Sequence, residues 1–597
     1  MTTTETEITQ EVQHTLATTL QSAPLSMSKK EIAANKSIQE ELSEERKAKQ
    51  ESGDLPQWFT THGWQMFKEK YLWDAVGYKD TCQRIADTLA RHTGDKEQWS
   101  TKFFQILWEG LLAPSTPVLS NTGTPKGCSV SCSGGYIDDS IFGFYSTRLE
   151  TAVLTKNGFG TSGYLGDIRP RGQKISSGGR ASGTVPVFKM FVQDMRDVAQ
   201  GTSRRGSWAG YLPIDHDDFW ELTDHIYNNP DDANIGYNYS DEFIARLNAG
   251  DEDALARFQR HMKLRAVTGK GYFYFTDKVA RHQPQMYKDL GLQSKASNLC
   301  TEITLHSDAE HTFTCVLSSL NLSKWERIKE TNAIFTATVF LDCVCEEFIQ
   351  MAKAIPGMEH SVAFSEKSRA LGLGTLGFHT LLQDSSIPFE SFDAHRLNNE
   401  IYKRIHDDSL EASKWMAEKW GEPEWCKGYG VRNTHRTAIA PNMSSAIICG
   451  GVSQGIEPIV ANVYTQASAA GEMDRINPSL LKLMKERGVF SKKTCERIAS
   501  NLGSVQGETW LSDHEKEVFK TAYEIDQRAI LRLASARQRW ICQAQSINLF
   551  FDSGEDEGYI AKIHQEAALD PNIKSLYYLR SLPGVYASKD TCVACEG

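Results

Sequence analysis

The spacing of apolar positions divides this chain of 597 residues into regions of different character. Residues 1–57 form a polar extension, and about the first two dozen have the composition of a disordered segment. The pair Ser28 and Glu31 fits a helix-capping box, which predicts a charged helix through about Ser52. An N-terminal helical region, residues 58–112, follows, because apolar side chains recur at helical spacing over 63–72, 79–92 and 98–112.

The pattern changes after residue 112. Residues 113–215 are rich in glycine, serine and threonine, and long loops of this kind inside a large chain are usually functional. Further along, short apolar runs alternate with helical stretches, which favours an α/β architecture with largely parallel strands. The predicted strands are 271–276, 311–317, 436–440 and 546–551. The predicted helices are 334–353, 396–420 and 512–532, the last opened by the capping pair Ser512 and Glu515.

Composition excludes several classes of protein. The formal net charge is -11 and there is no long basic run, which argues against a nucleic-acid partner. No apolar stretch approaches the roughly 18 residues of a membrane span, and the N-terminus has no signal-peptide pattern. Thirteen cysteines, an odd number without regular spacing, suit a reducing cytoplasm in which a few thiols react and the others are packed.

The chain ends in a Cys-x-x-Cys pair, Cys592 and Cys595. So close to the C-terminus the pair is expected on a flexible tail, residues 581–597, where the thiols can close into a disulfide and reopen. Zinc binding is the alternative, but it needs four ligands and the sequence has no second Cys-x-x-Cys. We therefore predict a redox enzyme whose α/β domain, residues 113–580, holds an internal dithiol that the tail serves. Its candidate members are Cys315 and either Cys132 or Cys128.

The segment Asn298-Leu299-Cys300-Thr301-Glu302 brings together three chemically distinct groups. In an extended loop, alternate residues point the same way, so the amide, the thiol and the carboxylate would face one ligand. These groups suit a nucleophilic or radical sulfur, a base and an orienting group. The alternative is a buried structural cysteine with two solvent-facing polar neighbours.

Two further patterns carry possible chemistry. The predicted strand 436–440 runs into Pro-Asn-Met-Ser-Ser (441–445) and then an apolar helix, a place where main-chain amides can hold a phosphate. Ordinary capping by these serine and asparagine side chains is the alternative. Tyr577 and Tyr578 would normally be one packed and one exposed ring, but they could also relay an electron and a proton.

The stretches GFGTSG (158–163) and GLGTLG (372–377) fit the dinucleotide-binding pattern G-x-G-x-x-G. The first does not lead into a helix and the second has no convincing strand before it, so neither has the required context. A nicotinamide-dependent oxidoreductase that uses one of these stretches is nevertheless kept as an alternative function. An inactive nucleotide-binding homologue is another alternative.

Taken together, SNLCTEI, APNMSSAIICGGVSQGIEP, LYYLRS and the final Cys-x-x-Cys, in this order, resemble the large catalytic subunit of aerobic ribonucleotide reductases over residues 58–597. The resemblance implies a ten-stranded α/β barrel of two parallel five-stranded halves, with a central finger loop that carries a radical cysteine. It also implies reduction of ribonucleotides to 2′-deoxyribonucleotides for DNA synthesis.

By this resemblance, Cys300 forms a thiyl radical that takes the 3′ hydrogen, Glu302 accepts the 3′-hydroxyl proton, and Asn298 holds the substrate hydroxyls. Cys132 and Cys315 would protonate the leaving 2′-hydroxyl and end as a disulfide. Cys132 is preferred because Val-Ser-Cys precedes an Asp-Ser-Ile segment (139–141), but the local spacing differs and Cys128 stays open. The tail pair Cys592 and Cys595 would re-reduce this disulfide and be restored by a thioredoxin- or glutaredoxin-like protein.

The resemblance also assigns nucleotide contacts. The residues that match substrate contacts are Thr116, Asn442, Met443, Ser444 and Ser445. The residues that match a site for dNTP or ATP effectors, which select the base to be reduced, are Asp139, Arg169, Gln200 and Arg205. Solvated surface charge is the alternative for the arginines. Diphosphate and triphosphate substrates both stay open, and class I chemistry would imply the diphosphate.

The tyrosine pair implies a class I enzyme, in which the radical comes from a metal cofactor in a small (beta) partner subunit. This chain itself would then hold no metal and no covalently bound cofactor. Cobalamin-dependent class II enzymes can carry a similar YYLR segment, but Leu576 and the close Cys-x-x-Cys ending favour class I. The family usually forms a homodimer. Residues 1–57 lack the pattern of the family's N-terminal ATP-binding domain, so we predict that dATP does not act through such a domain.

Overall fold

The computed structural model describes residues 29–74, 77–176, 178–198, 206–232, 234–468 and 471–581. The expected disorder over about the first two dozen residues therefore falls outside the described residues. So do four of the candidate site residues, namely Gln200, Arg205, Cys592 and Cys595.

The helices are α1 (Lys29–Glu51), α2 (Thr61–Lys70), α3 (Tyr78–Ala90), α4 (Lys96–Trp108), α5 (Thr116–Asn121), α6 (Ile141–Lys156), α7 (Thr184–Asp197), α8 (Phe219–Asn228), α9 (Asp241–Asn248), α10 (Glu252–Thr268), α11 (Thr276–Arg281), α12 (Gln285–Asp289), α13 (Trp325–Glu330), α14 (Ala333–Ala352), α15 (Glu359–Ser368), α16 (Phe378–Asp384), α17 (Phe392–Trp420), α18 (Met443–Ile448), α19 (Pro478–Glu486), α20 (Lys492–Ser500), α21 (Asp513–Val518), α22 (Gln527–Gln538) and α23 (Glu557–Leu569). The strands are β1 (Leu112–Pro114), β2 (Cys132–Tyr136), β3 (Thr161–Tyr164), β4 (Trp208–Pro213), β5 (Ile235–Tyr239), β6 (Tyr272–Phe275), β7 (Phe313–Asn321), β8 (Leu371–Leu376), β9 (Val463–Ser468), β10 (Gly471–Ile476), β11 (Leu549–Phe551), β12 (Ser575–Leu576) and β13 (Leu579–Ser581).

Helices α2 to α4 lie close to the positions that the apolar spacing predicts, and α1 covers the range predicted from the capping pair, of which Ser28 lies outside the described residues. Side-chain caps begin two of them: Thr60 accepts a hydrogen bond from the Gly63 amide, and Asp95 accepts one from the Gln98 amide. Helix α4 ends at Trp108, and the chain then enters β1, which pairs antiparallel with β7. The helical region is thus joined to the sheet by a strand that the sequence did not predict.

The first half of the sheet consists of β2, β3, β4, β5 and β6, each parallel to the next. Their residues are almost all buried, which is expected where helices cover one face of a parallel sheet and a core fills the other. Helices α6, α7, α8 and α10 lie in the chain between or beside these strands. This is the βαβ arrangement that the alternating pattern predicts.

The second half begins with β7 parallel to β8. Parallel bridges then extend it from Leu373 to Thr437 and from Ile439 to Gln545, and β11 continues parallel to β13. The two halves meet antiparallel, β2 against β7 at one junction and β6 against β12 at the other. The ring closes with five segments in each half, those of the second half being β7, β8, 436–440, 545–551 and 575–581. This confirms the predicted barrel, although 436–440 forms isolated bridges rather than a regular strand.

A loop crosses the interior of this barrel. Residues 293–306, here called the finger loop, contact strands of both halves. On one side, the Ser162 and Tyr211 hydroxyls donate to the Ser297 and Asn298 carbonyls at 2.7 and 2.6 Å. On the other, the Ala544 amide donates to the Glu302 carbonyl at 2.9 Å. These contacts hold the segment that contains Cys300 in the centre of the fold.

The predicted helix 512–532 is wrong as a single helix. The capping box of Ser512 and Glu515 does open a helix, but α21 ends at Val518. A separate helix, α22, begins after Asp526, whose side chain accepts from the Arg528 amide. Capping by Asp526 therefore restarts the helix where the apolar spacing alone suggests continuity. Within the described ranges, no helix is both long and apolar enough to cross a membrane.

Candidate active site

The candidate redox pair lies where the two halves of the barrel join. Cys132 in β2 and Cys315 in β7 are directly opposite each other in the antiparallel register, and both are buried. Burial is the main cause that raises the pKa of each thiol well above its usual range, and the charge of Glu302 raises both further. Both sulfurs therefore stay protonated at neutral pH. Cys128 is also buried, but no strand register places it opposite Cys315.

The finger loop brings Asn298, Cys300 and Glu302 to this pair, though not by the extended geometry that the sequence suggested. Residues 298–301 form a turn, closed by the Thr301 amide and the Asn298 carbonyl at 3.4 Å. Thr301 has φ +70°, a left-handed conformation that is unusual for a β-branched residue. The Asn298 amide nitrogen donates to Cys132 Sγ at 3.2 Å, so the loop and the dithiol are in direct contact.

Glu302 is 1% exposed and lies on the finger loop two residues after Cys300. Burial raises its pKa to about 7, against hydrogen bonds from its own amide, Asn298 and Ser546 that favour the carboxylate. The Ser546 hydroxyl lies 3.1 Å from Glu302 Oε2 and donates to the Cys300 carbonyl at 2.5 Å. A carboxyl group with a pKa near neutrality can both accept and return a proton.

The tyrosine pair stands beside Cys300. The Tyr577 hydroxyl donates to Cys300 Sγ at 3.4 Å, and the centroids of the Tyr577 and Tyr578 rings are 4.0 Å apart. Both rings are buried, whereas the sequence pattern predicted one exposed ring. The Arg580 guanidinium lies 4.4 Å from the Tyr578 ring centroid. The order Tyr578, Tyr577, Cys300 is thus a contiguous line of groups that can each lose a hydrogen atom.

Sequence reasoning missed several polar residues of the site. The Gln543 amide nitrogen donates to Cys315 Sγ at 3.4 Å, and Ser546 bridges Cys300 and Glu302 as described. Glu457, buried with a pKa raised to about 7 by burial, accepts from Asn548, which in turn accepts from the Tyr578 amide. The available signal for Gln543, Ser546 and Asn548 was the presence of polar side chains inside the apolar stretch 541–551.

The residues proposed to hold substrate phosphates converge at one place. Asn442 has φ +61°, and its amide nitrogen donates to the Thr375 and Ala440 carbonyls at 3.0 and 2.9 Å. The Ser445 hydroxyl donates to the Pro114 carbonyl at 3.3 Å, beside Ser115 and Thr116.

Met443 packs against the apolar cluster that contains Cys300, and Ser444 is buried in α18. The Thr116 hydroxyl lies 2.9 Å from that of Tyr71.

Of the effector candidates, Asp139 and Arg169 are described and form an ion pair with each other. Both side chains are part-exposed, at the start of α6 and in the loop after β3. The same loop contacts the finger loop, since Lys295 Nζ lies 2.5 Å from Asp167. The structure therefore connects the surface around Arg169 with the loop that bears Cys300.

The second dinucleotide-like stretch, 372–377, lies in and after strand β8 and is explained by packing. A Cβ on Gly372 would lie 2.4 Å from Leu317 Cδ2 and 3.0 Å from Cys315 Sγ. A Cβ on Gly374 would lie 2.6 Å from the Ala438 carbonyl oxygen. These glycines allow neighbouring barrel strands to approach beside Cys315, so no phosphate-binding role is needed to account for them.

Two family models match most of the chain. The one described as "Ribonucleotide reductase, all-alpha domain" matches residues 57–127, and the one described as "Ribonucleotide reductase, barrel domain" matches 130–257, 253–428 and 420–579. An inferred ribonucleoside-diphosphate reductase large subunit of Frog virus 3 (isolate Goorha) is 32% identical over 544 residues, covering 85% of this chain and 95% of that protein.

Other relatives carry similar descriptions. The ribonucleoside-diphosphate reductase large subunit of Invertebrate iridescent virus 3 is 30% identical, covering 90% of this chain and 98% of that protein. A solved structure, described as "Actinobacillus ureae class Id ribonucleotide reductase alpha subunit", has a TM-score of 0.82 at 35% identity and covers 89% of this chain and 99% of that one. These matches span the helical region and the barrel, and they confirm the resemblance drawn from the motifs. The chain belongs to the large-subunit family of the ribonucleotide reductases and is an oxidoreductase.

Proposed function

We propose that this chain reduces ribonucleoside diphosphates at the centre formed by Cys300, Asn298, Glu302, Cys132 and Cys315. The observation that carries the proposal is the contact of the finger loop with the cross-strand cysteine pair, through Asn298 and Cys132. The diphosphate as substrate follows the descriptions of the two viral relatives as ribonucleoside-diphosphate reductases.

In the proposed cycle, loss of a hydrogen atom from Cys300 gives a thiyl radical, which removes the 3′ hydrogen atom of the substrate. Glu302 accepts the 3′-hydroxyl proton, and one thiol of Cys132 or Cys315 protonates the 2′-hydroxyl, which leaves as water. The other thiol gives a hydrogen atom to C2′, and the pair, which supplies two electrons in all, ends as a disulfide. Cys300 then returns its hydrogen atom to C3′ and Glu302 returns its proton. One ribonucleotide and two thiols thus become one deoxyribonucleotide, one disulfide and one water.

Several features support these roles. The centre is buried, which protects a radical from water and from bulk reductant. The high pKa of Cys132 and Cys315 keeps a proton on each sulfur for the leaving hydroxyl. Glu302, with a pKa of about 7, can exchange a proton at neutral pH. We propose that residues 442–445 and Thr116 hold the diphosphate, because Met443 lies beside Cys300 and Ser445 contacts the segment before Thr116.

We also propose that the radical comes from a small partner subunit and reaches Cys300 through Tyr578 and Tyr577. The solved relative is described as an alpha subunit of a class Id enzyme, which supports a class I-like assembly with a partner that carries the metal. Cys592 and Cys595 would return electrons to the barrel disulfide, with a thioredoxin- or glutaredoxin-like protein as their reductant in the cytoplasm. Homodimer formation is part of the same proposal.

Effector control by dNTP or ATP is proposed for the surface around Asp139 and Arg169. Its support is the link from this loop to the finger loop through Asp167 and Lys295. A nucleotide that shifts the loop would thereby shift the segment that holds Asn298 and Cys300. Gln200 and Arg205 are proposed for the same site from the sequence motif.

The test is a turnover assay with Cys300→Ala and, as a matched control, Cys128→Ala, another buried thiol. We expect Cys300→Ala to abolish reduction of a ribonucleoside diphosphate and to leave effector binding intact, whereas the control keeps turnover. The wild-type chain is assayed alone, with adenosylcobalamin, and with a candidate metal-bearing partner. Full turnover by Cys300→Ala would refute the radical site, and activation by adenosylcobalamin alone would refute the partner subunit.

A further inference from the structure

Two buried histidines and a carboxylate meet where the finger loop ends and β7 begins. His306 Nε2 lies 2.8 Å from Asp308 Oδ2, and His311 Nδ1 lies 2.9 Å from Asp308 Oδ1. All three ligand-type atoms lie within 4.8 Å of one another. The histidine side chains are each 9% exposed, whereas the Asp308 side chain is 45% exposed. The cluster is thus packed on the histidine side and open to solvent on the carboxylate side.

We propose that His306, Asp308 and His311 bind a redox-silent divalent cation of the zinc class. The ion would fix the C-terminal end of the finger loop to the start of β7. Two imidazole nitrogens and one carboxylate oxygen are a ligand set that Zn²⁺ accepts, with water in the remaining position. The exposed edge of Asp308 leaves room for that water. The reductase chemistry proposed above does not use these residues.

The geometry requires little movement. With zinc–ligand bonds of about 2.05 Å, tetrahedral ligand atoms lie roughly 3.3 Å apart. The two histidine–carboxylate separations, 2.8 Å to Oδ2 and 2.9 Å to Oδ1, are shorter than that spacing, so the carboxylate has to withdraw by about half an ångström and turn to present one oxygen to the ion. Because the Asp308 side chain is partly exposed, it can make this adjustment without displacing core residues.

The surroundings of the cluster resemble the supporting shell of a metal site. His306 Nδ1 lies 2.9 Å from the Gln293 carbonyl oxygen and 3.0 Å from its amide nitrogen, which fixes the ring at the point where the finger loop begins. Asp308 Oδ1 accepts from the Glu310 and His311 amides, both at 2.9 Å. The Trp425 ring covers both imidazoles, with centroids 5.8 and 5.2 Å away.

The charge state is also suitable. Hydrogen bonds from the Glu310 and His311 amides, which do not depend on the protonation of either histidine, favour the charged form of Asp308. The carboxylate is therefore ionised at neutral pH. A divalent cation would neutralise this charge and bind the imidazoles in their neutral form, which is the form that ligates a metal. Binding would connect Gln293, at one end of the finger loop, with the strand that carries Cys315.

The experiment measures Zn²⁺ binding to the full chain in a background that also carries Cys592→Ser and Cys595→Ser, so that the tail thiols do not contribute. Asp308→Asn removes the charged ligand and keeps an oxygen that can accept the neighbouring amides. Glu310→Gln removes an equal charge from the same turn, on an exposed side chain, and is the matched control. Bound zinc is counted by mass spectrometry of the metal, and affinity by competition with a chelator.

We expect the background chain and Glu310→Gln to bind one equivalent of Zn²⁺ with the same affinity. Asp308→Asn should bind it roughly 100-fold more weakly, since even outer-shell changes cost 10–100-fold. His311→Gln serves as a second variant should Asp308→Asn fail to fold, and should show the same loss. Zinc should also slow hydrogen exchange at Gln293 and over 306–311. Equal zinc affinity in the ligand variants, no zinc binding by the folded background chain, or protection confined to another region would overturn the proposal.

Discussion

Glu302 links the proposed chemistry to a measurable property of the fold. Its pKa is raised from 4.5 to about 7, chiefly because the side chain is buried. The neutral acid is therefore favoured in the folded chain. Below about pH 4.5 the carboxyl group is protonated in both states and the folded state has no penalty from it. Between pH 4.5 and 7 the unfolded chain ionises first, so the free energy of unfolding falls as pH rises.

The size of this loss follows from the distance between the two pKa values. At 1.36 kcal/mol for each pH unit, it reaches about 3 kcal/mol above pH 7. Glu302→Gln keeps the shape of the side chain and removes the charge, so it should remove the loss. We expect the variant and the wild type to have similar unfolding free energies near pH 4.5. Near pH 8 the variant should be the more stable by about 3 kcal/mol.

The assay is urea unfolding of both proteins from pH 4.5 to 8.5, read as the difference between them at each pH. In parallel, kcat/KM of the wild type should fall as pH drops below 7, because the base becomes protonated, and Glu302→Gln should have no turnover. A stability difference that does not change with pH would refute the raised pKa. Normal turnover by the variant would refute the role of Glu302 as the base.

Three further changes test the site. Cys132→Ser should abolish multiple turnover, whereas Cys128→Ser should retain it; the opposite pattern, read from product formation with excess reductant, would transfer the redox role to Cys128. Tyr577→Phe removes the hydroxyl that donates to Cys300 Sγ at 3.4 Å. Turnover should therefore be lost, while calorimetry shows unchanged nucleotide affinity. Retained turnover would exclude this radical route. Gly372→Ala places a methyl group 2.4 Å from a leucine side chain and should destabilise the fold by about 1–3 kcal/mol in thermal unfolding; an unchanged melting temperature would contradict the crowding.

Much of the architecture could be predicted because it depends on the local spacing of apolar residues. Helices α14 and α17 begin and end within a few residues of the ranges that apolar spacing predicts, and β6 and β7 lie on the expected strands. The helix that divides after Val518 could not be found this way. Its break depends on the Asp526 cap and on Glu390, which accepts from the Asp526 amide and is distant in sequence.

The residue types singled out Asn298, Cys300 and Glu302, and the structure places all three together on the finger loop, but the extended geometry expected for them was wrong. The sequence predicted an extended loop in which alternate side chains point the same way. The segment is instead a turn, in which Thr301 has φ +70°. Glycine or asparagine would have signalled a left-handed position, whereas threonine does not. The surrounding barrel imposes this conformation through contacts such as the Ser575 hydroxyl on the Thr301 carbonyl at 2.9 Å.

The same limit explains why the polar support of the site was missed. Gln543 reaches Cys315, and Ser546 reaches Glu302 and the Cys300 carbonyl, only because closure of the barrel brings the chain after α22 against the finger loop. Their sequence context shows only that polar side chains interrupt an apolar stretch. A buried polar side chain requires a partner, so each such interruption predicts that a partner exists without indicating which residue it is. For Gln543 and Ser546 the partners are the catalytic candidates themselves, so these two polar positions were evidence about the site that the sequence contained.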